Sequence, residues 1–422
     1  MSANSDSTDI PETIAGAARA RLLCILALLA AFGPFATDMY LPALPRITSD
    51  LGATAGSVQL SLSVFFVGVS AGQLIYGPVS DALGRRRPLL FGMVLFAVSA
   101  VVCAFATTVE TLVAWRFVMG IGGSAGMTLS RAVVRDKFPH DSAAAFSVLM
   151  IIMGAAPMLA PIAGEQLLRL ETWGAALGMF AGWRAIFAVL AAIGLAALAA
   201  VFWGLPESLP PQKRRKLGLG EALAGYRSLL GRRQFTGYTL VMGFSAGAMF
   251  AYITCSAHVF INIYGVTPLD FSLIFAGNAL GLLGASALNW RLLHHFSPGK
   301  ILLVASVCAA LAGLTLVACA ATGAGGFWGM LALLFLSLAS GGFVGPNAQA
   351  LALAPCGHAA GTAAALLGTV QFGMGGLTGA VASHFGDSAS ALPMCAVFAF
   401  CTIFGLFSLI LTGNRRMSSP FS

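Results

Sequence analysis

An all-α integral membrane protein is the fold class this sequence predicts, with twelve transmembrane helices in two six-helix bundles and both termini cytoplasmic. Three observations predict it. Hydrophobic residues make up 58% of the 422 residues and charged residues only 9%. A soluble domain carries about 25% charge, so this surface is too poor in ions to be solvated by water. Apolar runs of about 20 residues, each able to cross about 30 Å of hydrocarbon, recur twelve times. Finally, nineteen of the 23 Lys and Arg residues fall on one side of that threading.

The first six runs begin near Leu22, Val58, Leu89, Leu112, Ala143 and Ile186, and the second six near Gly237, Leu269, Ile301, Phe327, Ala359 and Leu392. Residues 1–21 form a polar tail expected to be disordered. Residues 22–205 make the first bundle, 206–234 a cytoplasmic linker, 235–413 the second bundle and 414–422 a short tail. The first run is no cleavable signal: it is too long, and Pro34 and Asp38 stand where a small-residue cleavage site is needed. With the amino terminus inside, only Arg46, Arg169 and Arg184 lie outside and Arg116 falls within a span, which satisfies the positive-inside rule. The net charge of +8 therefore reports topology and excludes a nucleic-acid partner. That reading covers the basic run Lys213-Arg214-Arg215-Lys216 too, which lies in the linker between the bundles. Gly68-x3-Gly72 recurs 209 residues later as Gly277-x3-Gly281, a faint trace of duplication. The eight cysteines have no metal-ligand or CxxC spacing and read as small buried hydrophobes. No metal is expected.

Between the second and third runs stands Gly77-Pro78-Val79-Ser80-Asp81-Ala82-Leu83-Gly84-Arg85-Arg86-Arg87. It reads as a tight loop at the membrane surface. Gly77 is expected to let two helices approach, Gly84 to permit a φ > 0 turn, and Asp81 to pair with Arg85 or Arg86 or to cap a helix. An Arg-rich topology signal alone requires neither the acid nor the glycines. The stretch resembles the loop signature of the major facilitator superfamily, in which it is a conformational latch and not a substrate site.

Arg116 lies inside the fourth run. A buried arginine costs at least about 2.5 kcal/mol to insert and is normally paired or lines water. Its expected partner is Asp38, in Thr37-Asp38-Met39-Tyr40-Leu41-Pro42. Each lies about six residues from the outer end of its run, roughly 9 Å deep at 1.5 Å per residue. A static ion pair is one reading; a proton-coupling carboxylate set by burial and a neighbouring cation is the other. In the fifth run, Gly154, Pro157, Pro161 and Gly164 place two prolines four apart on one helix face, which frees backbone carbonyls and allows tight packing. That stretch resembles the superfamily's antiporter motif, with Ala156 in place of a glycine and Glu165 following. Glu165 is expected to be solvated at the outer rim.

Thr37 to Pro45, Gly182 to Phe187, Phe250 to Ser256 and Ala360 to Gly368 with Gln371 are similar to the bicyclomycin/chloramphenicol-resistance (Bcr/CflA) group of drug:proton antiporters. Ala257-His258 and a long segment from Gln166 to Ala181 depart from that group's pattern. His258 is expected to be a hydrogen-bonded helix residue, with titration near an outer vestibule as the alternative. The resemblance implies efflux of small lipophilic or amphiphilic drugs in exchange for protons by a multi-pass protein of the bacterial inner membrane. It implies no cofactor beyond the proton gradient, a lipid bilayer and small molecules as partners, and a monomer. Tyr40, Phe250 and Tyr252 are candidates for aromatic surface in the substrate cavity, and Asn278 or Gln371 for a hydrogen bond. A metabolite exporter or importer on the same fold stays open. A membrane-embedded enzyme would need a catalytic constellation; His294 and His295, adjacent and cytoplasmic, His140 and His358 in loops, and His384 without an obvious partner do not form one.

Overall fold

The computed structural model describes residues 16–138, 142–169, 182–214 and 219–413. The tail before residue 16, His140, the segment 170–181, Arg215-Lys216 and the tail from 414 onward lie outside the described residues, as does the side chain of His358. Among the described residues the chain is entirely helical, and twelve helices are long and apolar enough to cross a membrane.

The first span is broken. Helix α1 (Gly16–Asp38) already includes residues expected in the polar tail. It gives way to a 3-10 turn (Leu41–Ala43) and α2 (Leu44–Asp50). Pro42 and Pro45 explain the break: neither can donate to the carbonyl four residues back, at Asp38 and Leu41. The remaining spans of the first half are α3 (Ala55–Leu83), α4 (Arg86–Ala104), α5 (Val109–Lys137), α6 (Ser142–Arg169) and α7 (Trp183–Gly204). Helix α8 (Leu219–Leu230) lies in the connection between the halves. The second half comprises α9 (Arg233–Ala257), α10 (Pro268–Leu292), α11 (Pro298–Thr322), α12 (Gly326–Leu353), α13 (Ala360–Ser383) and α14 (Leu392–Gly413).

Local chemistry sets several of these ends. Thr54, Thr108 and Thr267 are N-caps whose side chains accept the N–H of Ser57, Thr111 and Asp270, satisfying donors that a helix start leaves unpaired. Helix α5 carries Glu110 in its first turn and Arg135 and Lys137 in its last, matching the helix dipole.

Packing divides the helices into two bundles. In the first, α3 and α4 pack on α5, α4 on α7, and α1 on α5 and α6; in the second, α9 packs on α12, α13 and α14, α11 on α12 and α14, and α10 on α12. The bundles meet along two seams, α3 against α13 and α6 against α10. Ser70 Oγ donates to the Thr369 carbonyl at 2.8 Å in the first seam. Helix α8 lies across both bundles at the arginine-rich end, where Tyr226 donates to the Leu74 carbonyl at 3.4 Å and Gly225 lies against Thr362. Trp203, Trp290 and Trp328 are exposed near span ends, as expected of an aromatic belt.

Two expectations about small residues change. Helix α3 runs through Gly77 and Pro78 to Leu83, so the predicted loop shrinks to Gly84 and Arg85. A Cβ on Gly77 would meet nothing within 4 Å; no helix approaches there. The close approaches fall at Gly68 and Gly120, where a Cβ would collide with the carbonyls of Phe117 and Phe65. The cysteines are all free, but Cys24 and Cys308 are exposed, because in a bilayer a small apolar residue can face lipid as readily as protein.

Candidate functional site

The broken first span positions the site. Asp38 ends α1 and is almost fully buried. Its Oδ1 lies 2.9 Å from the Thr37 hydroxyl, which also stands 3.0 Å from the Gly33 carbonyl. One hydroxyl proton cannot serve both acceptors. Across the bundle boundary, Asp38 interacts electrostatically with Tyr252 of α9. Tyr252 accepts from Asn278 Nδ2 at 2.8 Å, and its ring stacks on Phe275 at 5.7 Å.

Arg116 does not pair with Asp38. Its Nη1 donates to the Ala36 carbonyl at 2.8 Å, while Phe65 and Tyr40 hold the guanidinium at 4.5 and 4.8 Å from their ring centroids. The last carbonyls of a helix have no partner within it and form its negative end. The arginine therefore serves the end of α1 and is compensated by aromatic faces. Its Nε and Nη2 have no hydrogen-bond partner among the described residues. Depth estimated along the chain brought the two residues level, but could not fix the direction in which each side chain points.

Tyr40 likewise turns inward. It is fully buried, its hydroxyl is 3.0 Å from Ser61 Oγ and its ring packs on Phe187, so it belongs to the first bundle's core and not to a cavity wall. Phe250 sits on the boundary instead, with Phe66 at 4.1 Å and Phe372 at 5.4 Å. Gln371 is half-buried on α13.

Helix α6 joins the break to the second bundle. A Cβ on Gly164 would strike the Met39 carbonyl, and one on Gly154 would lie 2.7 Å from Leu283 of α10. Pro157 and Pro161 leave carbonyls of the preceding turn without an N–H, and the Pro161 carbonyl accepts from Ser272 Oγ of α10 at 3.2 Å. Glu165 is not solvated. It is buried and paired with Arg169 at 2.6 Å, since its helix face turns toward protein. His258 opens a π-helical turn (His258–Ile263); Nε2 lies 3.0 Å from the Ser388 carbonyl and Nδ1 has no hydrogen-bond partner among the described residues.

At the arginine-rich end, Arg85 binds Asp81 at 2.6 Å, Ser80 at 2.6 Å and Asp136 at 3.1 Å. Gly84 turns the chain at φ +89. Arg86 reaches back over the Phe202 ring. Glu207, just past α7, ties the turn down. It accepts the backbone N–H of Arg85 at 2.8 Å and of Arg86 at 3.3 Å, together with those of Ser208 and Leu209. Burial alone would raise the pKa of this carboxyl, but the backbone donors outweigh it and hold the value below 4.5. A depressed folded-state value means the contribution is present above about pH 4.5 and is lost as pH falls through the folded value. Glu207→Gln is therefore expected to lower the melting temperature by about 2 °C at pH 7. The difference from wild type should shrink steadily below pH 4.5; a gap independent of pH would contradict this role.

Residues 26–380 match the family model for the major facilitator superfamily. The chain belongs to that superfamily. An uncharacterized MFS-type transporter, YdgK of Bacillus subtilis (strain 168), is 38% identical over 409 residues, covering 95% of this chain and 97% of the relative. A bicyclomycin resistance protein homolog of Haemophilus influenzae (strain ATCC 51907 / DSM 11121 / KW20 / Rd) is 32% identical over 396 residues, 93% of this chain and 96% of the relative. The fold is also that of a bacterial homolog to the human lysosomal transporter Spinster, with a TM-score of 0.72 at 17% identity over 96% of this chain and 98% of that one. Members of the superfamily carry small molecules across membranes. Twelve spans and bacterial relatives make this a multi-pass protein of the bacterial inner membrane.

Within this superfamily member, sequence reasoning located the Gly84 turn and Asp81 with Arg85 among its candidate partners, but not the break in the first span. It missed Thr37 as the neighbour of Asp38, Phe66 and Phe372 at the bundle boundary, and Asp136 and Glu207 in the latch. The two acids carried a signal: in a chain with only 15 Asp and Glu, each acid beside a basic turn is a candidate partner.

Proposed function

We propose that this protein exports small lipophilic or amphiphilic drugs in exchange for protons, by alternating access, as a monomer energised by the proton gradient alone. The observation that carries the reading is Asp38. It is a buried carboxyl group at a break in the first span, with no cation within 4 Å among the described residues, just before the 3-10 turn that packs against α9 and α10, the helices carrying Tyr252 and Asn278. Ionisable groups inside a membrane mark ion paths, and irregular backbone at that depth is tolerated only where it is buried or lines a cavity. The positive-inside rule sets the arginine-rich end, and with it both termini, in the cytoplasm.

In the proposed cycle Asp38 is charge-compensated in the closed state by a proton, since no cation among the described residues takes that place. Thr37 then keeps its own proton on the Gly33 carbonyl and accepts from Asp38. When the bundles part toward the cytoplasm, water reaches Asp38 and the proton leaves. Thr37 turns to donate, and drug enters against Tyr252, Phe250 and Phe66. Drug and proton exclude one another because both depend on the state of one carboxyl group between the bundles. The resistance role in the name of the Haemophilus relative and the antiporter-type packing of α6 support the direction of transport.

The test uses everted membrane vesicles energised acid inside and a pH-sensitive dye. Addition of bicyclomycin, chloramphenicol or a lipophilic cation should release protons from vesicles containing the protein and not from vesicles lacking it. If none of these does so while a metabolite does, the protein is a metabolite transporter on the same fold.

A further inference from the structure

We propose that Asp387 is a positioning residue for transport: it fastens the two bundles at the end away from the arginines by accepting the first free N–H of α3. The proposal rests on the alternating-access part of the function above, and not on the drug or the proton. A helix start leaves its first N–H groups without partners and carries partial positive charge. Thr54 caps the N–H of Ser57, but the N–H of Ala55 goes to Asp387 Oδ1 at 2.8 Å, 332 residues away in the second bundle.

The backbones around this contact touch. A Cβ on Gly56 would collide with the Ser383 carbonyl, and one on Gly386 would lie 2.7 Å from Gly56 Cα and 2.7 Å from Gln59 Oε1. Neither glycine has a positive φ, so each position requires the absence of a side chain and not a special turn. The loop that carries Asp387 is held to its own bundle, where His258 Nε2 meets the Ser388 carbonyl at 3.0 Å. Asp387 itself is exposed. When the bundles separate, water can replace it at Ala55, which makes the contact reversible in a way a buried ion pair is not. A small cavity between the bundles is lined by Gln59 of the first and by Cys255, His258 and Gly386 of the second.

Cys255 is buried there and serves as a native reporter; Cys401, buried within the second bundle, reports unfolding. The full chain in nanodiscs is treated with a negatively charged maleimide, and labelling of each cysteine is followed by peptide mass spectrometry. Two variants remove opposite halves of the contact. Asp387→Ala deletes the acceptor. Ala55→Pro deletes the donor at the first helical position, where proline is favoured, after Thr54, whose extended backbone already suits a following proline. Each should raise the rate at Cys255 by about fivefold, the scale of one lost hydrogen bond, with Cys401 unchanged. The double variant should react no faster than either single one. Unchanged rates at Cys255, independent multiplication in the double variant, or a parallel rise at Cys401 would each overturn the proposal. Neither drug nor proton enters this measurement, so its failure is distinct from a failure of drug export.

Discussion

Asp38→Asn is expected to reduce drug-driven proton release to the level of vesicles lacking the protein, while leaving the melting temperature unchanged or slightly raised. The substitution keeps the volume and the contact with Thr37 but cannot carry a proton. Asp38 has no ion pair among the described residues, so its neutralisation strands no buried cation. Arg116 keeps the Ala36 carbonyl and its aromatic cage. That distinguishes this site from a structural salt bridge, in which removing one partner is strongly destabilising. Drug binding to the variant, measured by tryptophan quenching in detergent, should persist because Tyr252, Asn278 and Phe250 are untouched. Proton release surviving in Asp38→Asn would move the carrier elsewhere. Loss of release together with loss of folding would make Asp38 structural.

The second large effect is on folding. Gly120→Leu is expected to abolish folded protein in the membrane or to lower its melting temperature by about 10 °C or more. A Cβ at position 120 would collide with the Phe65 carbonyl, and one at Gly122, on the same helix, would lie 2.6 Å from the Phe96 backbone nitrogen. Helices α3, α4 and α5 therefore touch backbone to backbone, with nothing flexible to yield. Between membrane helices such contact takes the place of the hydrophobic effect, because lipid is as apolar as leucine. Overpacking costs about 1–3 kcal/mol where side chains can give way, occasionally more; here two helices must move apart and open a void along their length. Gly77→Ala is the contrasting control. It lies within α3 with free space around its Cβ position, so it should be neutral or stabilise by about 0.5–1 kcal/mol through helix propensity. Thermal unfolding followed by fluorescence in detergent reads both variants. A stable Gly120→Leu protein would show that the α3–α5 crossing is looser than its contacts indicate.

The sequence by itself determined what a bilayer imposes along one dimension. Span length, the side taken by Arg and Lys, and local backbone chemistry all follow from neighbours in the chain. Pro42 and Pro45 break the first span, Gly84 makes the turn at φ +89, and Asp81 reaches Arg85 because residues four apart share a helix face. Tertiary structure alone decided which way each side chain points and which glycine meets another helix. Arg116 and Asp38 are level in depth by residue count, yet Arg116 closes the end of α1 while Asp38 meets Thr37. Gly77 sits in the loop motif but has open space where a Cβ would stand, whereas Gly68 and Gly120 join two helices. Glu207 and Asp387 find backbone donors 122 and 332 residues away. The reason is physical. A span surrounded by lipid is apolar on every side, so the hydrophobic stripe that marks the inner face of a soluble helix is missing, and direction is set only when small residues, carbonyls and the rare charges of different helices come together.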